Sequence, residues 1–580
     1  MNKIIYILLL GILVLNSCRE DFLDKYPLDE IADQSYWKKA NDLKLYVNQY
    51  YTLFPGYSVG SYNAGIYAID NNSDNLLPEN HNPQLGGTWT LPADGAGWTT
   101  KKDSWGGIRS INHFFKYYKN CEDDLVLYEA YLGEAQFFKA YMYFNMLKKF
   151  GDLPWYNEPL ETNSEELYAA RLPRNQVVDS ILVLLDGAID NLPLKSDAEN
   201  LRLNKESALL LKARVALYEG TWEKYHKGTA FAAADVDPSK YMTTAANTAY
   251  ELMELGTASI YKESNTDFST NYLNNFNQID YSNNPEVLLW KKFDKELGMG
   301  HNAGNGESGE QTGLSKSLVD CYLCSDGKPI YMSDLYEGDA DYITETNNRD
   351  PRLSQTMWLP GMITVIRDGE IIYFQNPLLL VTEKPNTTGY QKRKGANYDG
   401  SLSGGHFQSD QGSIIFRYAE ALLIYAEAKA ELDDISQNEL DITINVLRDR
   451  VDMPHMVLSE INTWNDPNWD FPELSPVINE IRRERRVELA CEGYRKDDLF
   501  RWKAHHLISG IQPRGAKFVQ ELYPDTDASK VNVDANGYIV PYLVALPNGW
   551  GFDPNRDYLS PIPSNELVLN ENLKPNNPGW

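Results

Sequence analysis

The segment Glu480–Trp502, which reads EIRRERRVELACEGYRKDDLFRW, carries the most informative charge pattern in the chain. Glu484 and Glu488 are four residues apart, so a helix places both carboxylates on one face. Paired carboxylates can serve glycoside hydrolysis. Several arginines lie close to each glutamate in sequence, and an adjacent cation favours the ionised carboxylate over the raised pKa that a general acid needs. We therefore predict that this segment forms a structural ion-pair network.

Outward from this segment, apolar residues recur with the period of a helix. The stripe in the segment 175–192 is typical and comprises Val177, Ile181, Leu184, Leu185 and Ala188. The helical segments come in neighbouring pairs, which are 124–150 with 175–192, 204–221 with 239–256, and 413–432 with 438–450. Small residues beside large aromatics favour tightly stacked helical hairpins. The pattern predicts a mainly α fold of tetratricopeptide-like hairpins, with repeat pairs over about 124–256 and 413–505.

Loop-rich stretches separate these pairs. Residues 56–105 are full of Gly, Asn, Asp and Trp, and residues 262–412 mix short strand-like runs, such as Val287–Trp290 and Ile363–Ile366, with Gly-rich loops. The tail from about 510 to 580 is mostly irregular. Loops this long in a compact protein are usually functional. We expect a helical scaffold that carries its ligand-binding loops on one side.

The N-terminus reads as a processing signal. Lys3 precedes about twelve mostly apolar residues, too few to span a bilayer as a stable anchor. The run Leu15-Asn16-Ser17-Cys18 resembles a bacterial lipobox, in which the peptide 1–17 is removed and the Cys18 thiol carries diacylglycerol. The sequence thus predicts a body, 18–580, anchored to a membrane through lipid on Cys18.

The composition limits the classes of ligand. A net charge of −28 repels phosphates, so nucleic acid is excluded as a partner. Aromatic residues make up 12% of the chain, with an excess of Tyr and Trp, whose flat rings suit binding surfaces. A neutral ligand such as a sugar fits this balance best, while peptides and cations remain open.

Motifs for metals and cofactors are weak. The pair Cys321 and Cys324 lacks a second CxxC or a nearby His pair, so two core cysteines or a local disulfide are the readings that remain. The stretch 304–309 matches GxGxxG but has no strand before it and no helix pattern after it. The oxygen-rich run 70–75 lacks the spacing of an EF-hand and is a polar turn that leaves sugar or calcium contact open. We predict no catalytic residue, metal or cofactor.

Blocks along nearly the whole chain resemble the SusD/RagB family of outer-membrane nutrient-binding lipoproteins. The segment 480–502 closely resembles the family signature. The other resembling blocks follow in the family's order and are Cys18–Asp24 with Pro27, Gly133–Pro154, Ala208–Glu223, Asn348–Arg352, Arg417–Ala428, Pro561–Pro563 and Asn577–Trp580.

The resemblance implies one helical body with about four tetratricopeptide-like pairs and an irregular region that carries ligand loops. It implies an oligosaccharide or polysaccharide ligand, a SusC-like TonB-dependent transporter as partner, and a lipid-anchored position at the outer membrane facing the exterior. Two alternatives stay open, a peptide or other nutrient binder in the same type of complex and a glycoside hydrolase.

The groups that bind sugars indicate which loops of this chain could form the ligand-binding site. Sugars pack C–H faces on aromatic rings and bind planar amide, carboxylate or guanidinium groups through their hydroxyls. The early loop 67–98 offers that mixture, and the resemblance adds regions near 295–312 and 390–408. The ligand-binding candidates are Tyr67, Asp74, Asn75, Trp89, Trp98, Arg393 and Tyr398, with Phe407 behind them. Trp105 begins an apparent helix and is expected in the core.

Overall fold

A computed structural model describes residues 36–58, 65–263, 270–302, 309–381, 383–402 and 407–580. The longer helices are α1 (Ala40–Asn48), α2 (Trp105–Tyr117), α3 (Glu129–Phe150), α4 (Arg174–Asn191), α5 (Lys205–Tyr225) and α6 (Ser239–Glu254). The helices that follow are α7 (Asn271–Asn274), α8 (Lys316–Cys321), α9 (Pro351–Thr356), α10 (Tyr418–Glu431), α11 (Gln437–Asp441), α12 (Ile444–Asp449), α13 (Leu458–Ile461), α14 (Pro476–Glu488), α15 (Arg495–Arg501) and α16 (Ser564–Leu569). The strands are β1 (Val287–Lys291), β2 (Ile363–Arg367), β3 (Glu370–Tyr373) and β4 (Ser413–Arg417). Within these ranges, none of the helices has the length and apolar character to span a bilayer.

The helices form a continuous stack. In it α3 packs on α4, α4 on α5, α5 on α6 and α6 on α10, and α10 then contacts α12 and α14. Asn204 caps α5 by accepting a hydrogen bond from the Ser207 amide, as expected for an N-cap. Close approach needs small residues, because a Cβ on Gly220 would lie 2.8 Å from Cγ of Met242. The predicted mainly α fold of stacked helical hairpins is confirmed.

Two boundaries differ from the predicted segments. Residues 413–417 form β4, which pairs antiparallel with β1, so the helix predicted from 413 begins only at Tyr418. The segment 438–450 is split into α11 and α12. The reason at 413–417 is tertiary context, since a run of Ile, Ile and Phe takes strand form when a partner strand is available. The strand-like runs at 287 and 363 are strands, as predicted.

The helix α14 is lined with buried ion pairs. Glu488 accepts hydrogen bonds from Arg352 at 3.1 Å, Arg417 at 2.8 Å and Arg450 at 2.6 Å. Glu484 pairs with Arg352 at 2.5 Å. Burial would raise the pKa of Glu488, but the three guanidiniums outweigh burial and hold that pKa well below its usual range. The structural network expected from the sequence is therefore present, and it joins α14 to α9, α12 and β4.

Candidate functional site

A cavity of about 250 Å³ lies where α3, the strand β4 and the turn between α14 and α15 meet. Loops of the early and later regions complete it through Tyr57 on one side and Lys394 on the other. We call this cavity the central pocket. Its size suits one sugar ring or the end of a chain, and its lining mixes aromatic and polar side chains, as ligand sites do.

One face of α3 forms the mouth of the central pocket. Tyr141, Asn145 and Lys148 are spaced i, i+4 and i+7, which places them one above another. Lys148 donates to Asp497 at 2.6 Å, so that charge is paired. Asn145 is half-buried, and its amide has no hydrogen-bond partner among the described residues. The ring of Tyr141, which also packs on Phe54 and Phe137, and a free planar amide therefore both line the central pocket.

The floor of the central pocket is closed by internal pairing. Arg214 of α5 binds both carboxylate oxygens of Glu420 at 2.6 Å and donates to the Tyr494 hydroxyl at 3.1 Å. The same guanidinium lies over the rings of Phe416 and Tyr494, with distances to the centroids of 4.9 and 5.1 Å. Bidentate geometry and ring contacts fix this group, so it shapes the pocket and leaves recognition to the mouth.

The back wall holds a carboxylate that cannot act as a general acid. Glu492 accepts from Arg417 at 2.6 Å and from Lys394 at 2.6 Å. Burial would raise the pKa of Glu492, but those two cations outweigh it and lower the pKa. A carboxylate held ionised in this way lacks the proton that glycoside hydrolysis requires from its acid. Glu492 is therefore not a candidate for the general acid of a glycoside hydrolase.

The two tryptophans that the sequence predicts to contact ligand make contacts within the fold instead. Trp98 is only 6% exposed and packs edge-to-face on Phe150, with 5.1 Å between ring centroids. It offers no exposed ring face, contrary to the expectation from the sequence. Trp89 is half-buried, donates from Nε1 to Asp557 at 2.7 Å and meets the ring of Trp580 edge-on. Both rings help to attach the early loop to the body.

Asp74 and Asn75 also serve the fold in this structure. Arg495 donates to Asp74 at 2.7 Å and Arg486 at 3.1 Å, while Arg486 donates to the Asn75 oxygen at 3.0 Å. Burial opposes ionisation of Asp74, but the two guanidiniums outweigh it and lower the pKa of Asp74 to about 2. The polar run 70–75 is thus bound to the signature segment, and the side chains of Asp70, Asp74 and Asn75 are buried. Sequence alone could not show this, because the partners lie more than 400 residues away.

Of the candidates later in the chain, Arg393 is hydrogen-bonded within the fold, whereas Tyr398 and Phe407 are exposed. Arg393 is half-buried, donates to the Ser354 carbonyl at 2.9 Å and lies over the ring of Trp358. Tyr398 is 54% exposed and Phe407 is 46% exposed. Of the predicted aromatic positions with described side chains, these two are the most exposed to solvent.

Some expectations fall outside the described residues. These are Cys18 with the whole segment 1–35, the Tyr67 side chain, and residues 303–308, which hold most of the GxGxxG match. Among the described residues, no cluster of His, Cys, Asp or Glu has the arrangement of a metal site. Cys321 and Cys324 are free thiols, and burial raises the pKa of both.

Sequence reasoning missed the mouth residues on α3. Tyr141 and Asn145 lie in a segment whose apolar stripe indicated only core packing. The signal was present in the polar spacing of Tyr141, Asn145 and Lys148 along a second face of the same helix. That face lines a pocket only because the fold brings the turn at Gly493 and the strand β4 opposite it.

Stacked helical hairpins with a closed ionic interior and a sugar-sized pocket define a class, the helical-repeat binding protein. Comparisons with known proteins show the family. A family model described as "SusD family" matches residues 254–580, and a second, described as "Starch-binding associating with outer membrane", matches residues 21–217. The chain belongs to the SusD family, whose members are carbohydrate-binding proteins.

Individual relatives agree along the full length. The SusD-like protein P2 of Formosa agariphila is 24% identical over 596 residues, covering 100% of this chain and 99% of its own. The SusD-like protein P38 of the same organism is 24% identical, with 86% and 91% covered. Among solved structures, a SusD-like carbohydrate binding protein from Bacteroides fragilis has a TM-score of 0.71 at 22% identity, with 93% of this chain and 100% of that chain covered. A laminarin binding SusD-like protein has a TM-score of 0.54 at 19% identity, with 94% and 100% covered.

Proposed function

We propose that this chain captures oligosaccharide or polysaccharide at the cell surface and binds it at the mouth of the central pocket. The observation that carries the proposal is the free amide of Asn145 one helical turn from the ring of Tyr141. A sugar packs its C–H face on such a ring and satisfies the amide through hydroxyls. Family membership and the printed name of the laminarin-binding relative support a glycan as the ligand class.

The test compares two pocket variants with a surface control. Tyr141→Ala and Asn145→Ala are each expected to weaken binding about 5- to 20-fold, since a sugar-stacking ring or a hydrogen bond contributes about 1–2 kcal/mol. Binding is measured by calorimetry with maltoheptaose and laminarihexaose. Tyr168→Ala removes a comparable ring that is exposed elsewhere and should leave affinity unchanged. Unchanged affinity in both pocket variants would move the site to the exposed rings of Tyr398 and Phe407.

The same experiment separates the alternative functions. A binder should leave the oligosaccharides intact, so no new reducing ends are expected after prolonged incubation. Release of reducing ends would establish a glycoside hydrolase. Binding of members of a peptide library, with none of the glucans bound, would establish a peptide binder.

We also propose that lipid on Cys18 holds the protein at the outer membrane, facing the exterior. The basis is the lipobox-like run before Cys18 and the family's outer-membrane association. Cys18→Ala should release the protein from the outer-membrane fraction. Protease added to intact cells should digest the native protein. A variant that stays membrane-bound would contradict the anchor.

Delivery to a SusC-like TonB-dependent transporter completes the proposal. It rests on family membership alone. Gentle detergent extraction should co-purify a large outer-membrane barrel protein. Recovery of free monomer alone across several mild detergents would count against the complex.

A further inference from the structure

A second cavity, of about 190 Å³, lies on the other side of the signature segment from the central pocket's turn. We call it the arginine pocket. Its floor is made by α14 and α15, and its rim by the loop before α14 and the segment after α8. The lining residues that matter are Tyr331, Asn468, Trp469, Asp470, Arg486 and Arg495.

The arginine pocket has guanidinium N–H groups without acceptors. Nε and Nη2 of Arg495 bind Asp74, and the same two groups of Arg486 bind Asn75, Asp74 and Ser317. Among the described residues, Nη1 of neither arginine has a hydrogen-bond acceptor. Arg486 is 5% exposed and Arg495 is 3% exposed, and both line the cavity, so their remaining accessible surface faces it.

Two carboxylates lie beside these two arginines. Both cations share the carboxylate of Asp74. The second carboxylate is Asp470, which is 4.0 Å from Arg495 and whose side chain is 41% exposed. Because Asp470 is at the limit of contact and reaches solvent, a ligand carboxylate can take its place beside Arg495.

A third arginine at this cavity, Arg482, also has N–H groups without acceptors among the described residues. Arg482 is 2% exposed, and its guanidinium lies among the rings of Tyr225, Phe471 and Trp502 at 4.8, 4.2 and 4.4 Å from their centroids. Nη2 pairs with Glu431, while Nε and Nη1 are buried without partners. Glu431 balances the charge of this cation, and the rings hold its guanidinium in place.

The rim adds the features of a sugar site. Tyr331 is exposed and Trp469 is half-buried with its Nε1 donating to Glu480 at 3.0 Å, so its ring is fixed. Asn468 is exposed, and its side chain has no hydrogen bond among the described residues. Flat rings and an amide beside guanidiniums match a sugar ring that carries a carboxylate.

We propose that the arginine pocket is a second binding site, which takes a uronic acid residue with its carboxylate on Arg486 and Arg495. A carboxylate matches the bidentate geometry of guanidinium and brings one charge into a cavity that Asp320, Asp466 and Asp470 also line, whereas a phosphate monoester brings nearly two charges. The site departs from the neutral ligand that the overall charge of −28 favours, because open guanidinium N–H groups of Arg486 and Arg495 lie at the cavity itself, where the lining acids Asp320 and Asp466 are already paired with Lys316 and Arg483.

The test changes charge at the rim and leaves the buried network intact. Asp470→Asn removes a carboxylate that competes for Arg495 and should tighten glucuronate binding about fivefold. Asn468→Asp adds a repelling charge at an exposed position and should weaken it by about the same factor. Ligand-detected NMR titrations with glucuronate, glucose, acetate and sulfate are run in the Asn145→Ala background, which weakens binding at the central pocket, and the two rim variants assign the remaining signal to the arginine pocket.

The expected result is that glucuronate binds, that the two variants shift its affinity in opposite directions, and that glucose shows neither shift. Acetate or sulfate binding as tightly as glucuronate would overturn the sugar acid and leave a bare anion site. Absence of glucuronate binding, or affinities that ignore both rim charges, would overturn the site itself. None of these outcomes depends on whether glucans bind at Tyr141, so the two proposals fail separately.

Discussion

The signature segment and the mouth of the central pocket use similar polar side chains for different purposes. On α14, Glu488 meets three arginines and is fully buried. On α3, Asn145 is half-buried and its amide is unpaired. A buried group with all its partners present resists change, whereas a free group at an entrance can exchange water for ligand. Pairing, more than residue type, separates the residues that hold this fold from those that can bind.

Removing a hub of the buried network should have the largest effect. Glu488→Ala removes the carboxylate that three buried guanidiniums share, and breaking a buried pair costs about 3–5 kcal/mol of unfolding free energy. Urea denaturation followed by circular dichroism measures the loss. Glu473→Ala, at an exposed position, is the matched control and should be nearly neutral. A loss below about 1 kcal/mol would show that the network is not holding the helices together.

Trp98→Ala tests the same distinction with an aromatic residue. The ring is buried among core residues, so its removal should cost about 3 kcal/mol and leave a cavity. Thermal melting should show a clear drop, while Tyr168→Ala should change the melting temperature little. If the Trp98 variant loses glycan affinity while its melting temperature is unchanged, Trp98 contacts the ligand and does not stabilise the core.

The pH dependence of stability should report the paired carboxylates. The pKa of Asp74 is about 2 in the folded state, below its ordinary value near 3.8, so its pairing stabilises the fold above about pH 4. That contribution, about 2 kcal/mol, is lost as pH falls from about 4 to 2. Asp74→Asn should therefore destabilise more at pH 6 than at pH 2, measured by urea denaturation at both values. An equal loss at both pH values would mean that Asp74 is not held ionised by Arg486 and Arg495.

Exposed rings should give the smallest effect on stability. Tyr398→Ala and Phe407→Ala should each change the free energy of unfolding by less than about 0.5 kcal/mol, because both rings are about half exposed. Their effect on glycan affinity, measured by calorimetry, shows whether the ligand extends from the central pocket over this loop. A large destabilisation in either variant would place that ring with Trp98 among the residues that hold the fold.

The two later boundaries show where local pattern reaches its limit. Residues 413–417 were predicted as helix because Ile415 extends the apolar stripe of Ala419 and Leu422, yet the segment pairs with β1. Periodicity over a few residues does not distinguish the ends of a helix from a short strand, and the partner strand lies about 125 residues earlier. Long helices such as α3 and α5 were predictable, since their patterns extend over several turns.

The sequence by itself determined the class of fold, the helical stack and the ionic character of the signature segment, because helical periodicity and the interleaving of Glu with Arg are local properties. Only the tertiary structure decided which polar side chains are paired within the fold and which remain available to a ligand. Asp74 was indistinguishable from a ligand residue until Arg486 and Arg495 were brought to it, and Asn145 was indistinguishable from an ordinary helix residue until no partner reached it. The physical reason is that the availability of a side chain depends on its neighbours in space, and those neighbours come from distant parts of the chain.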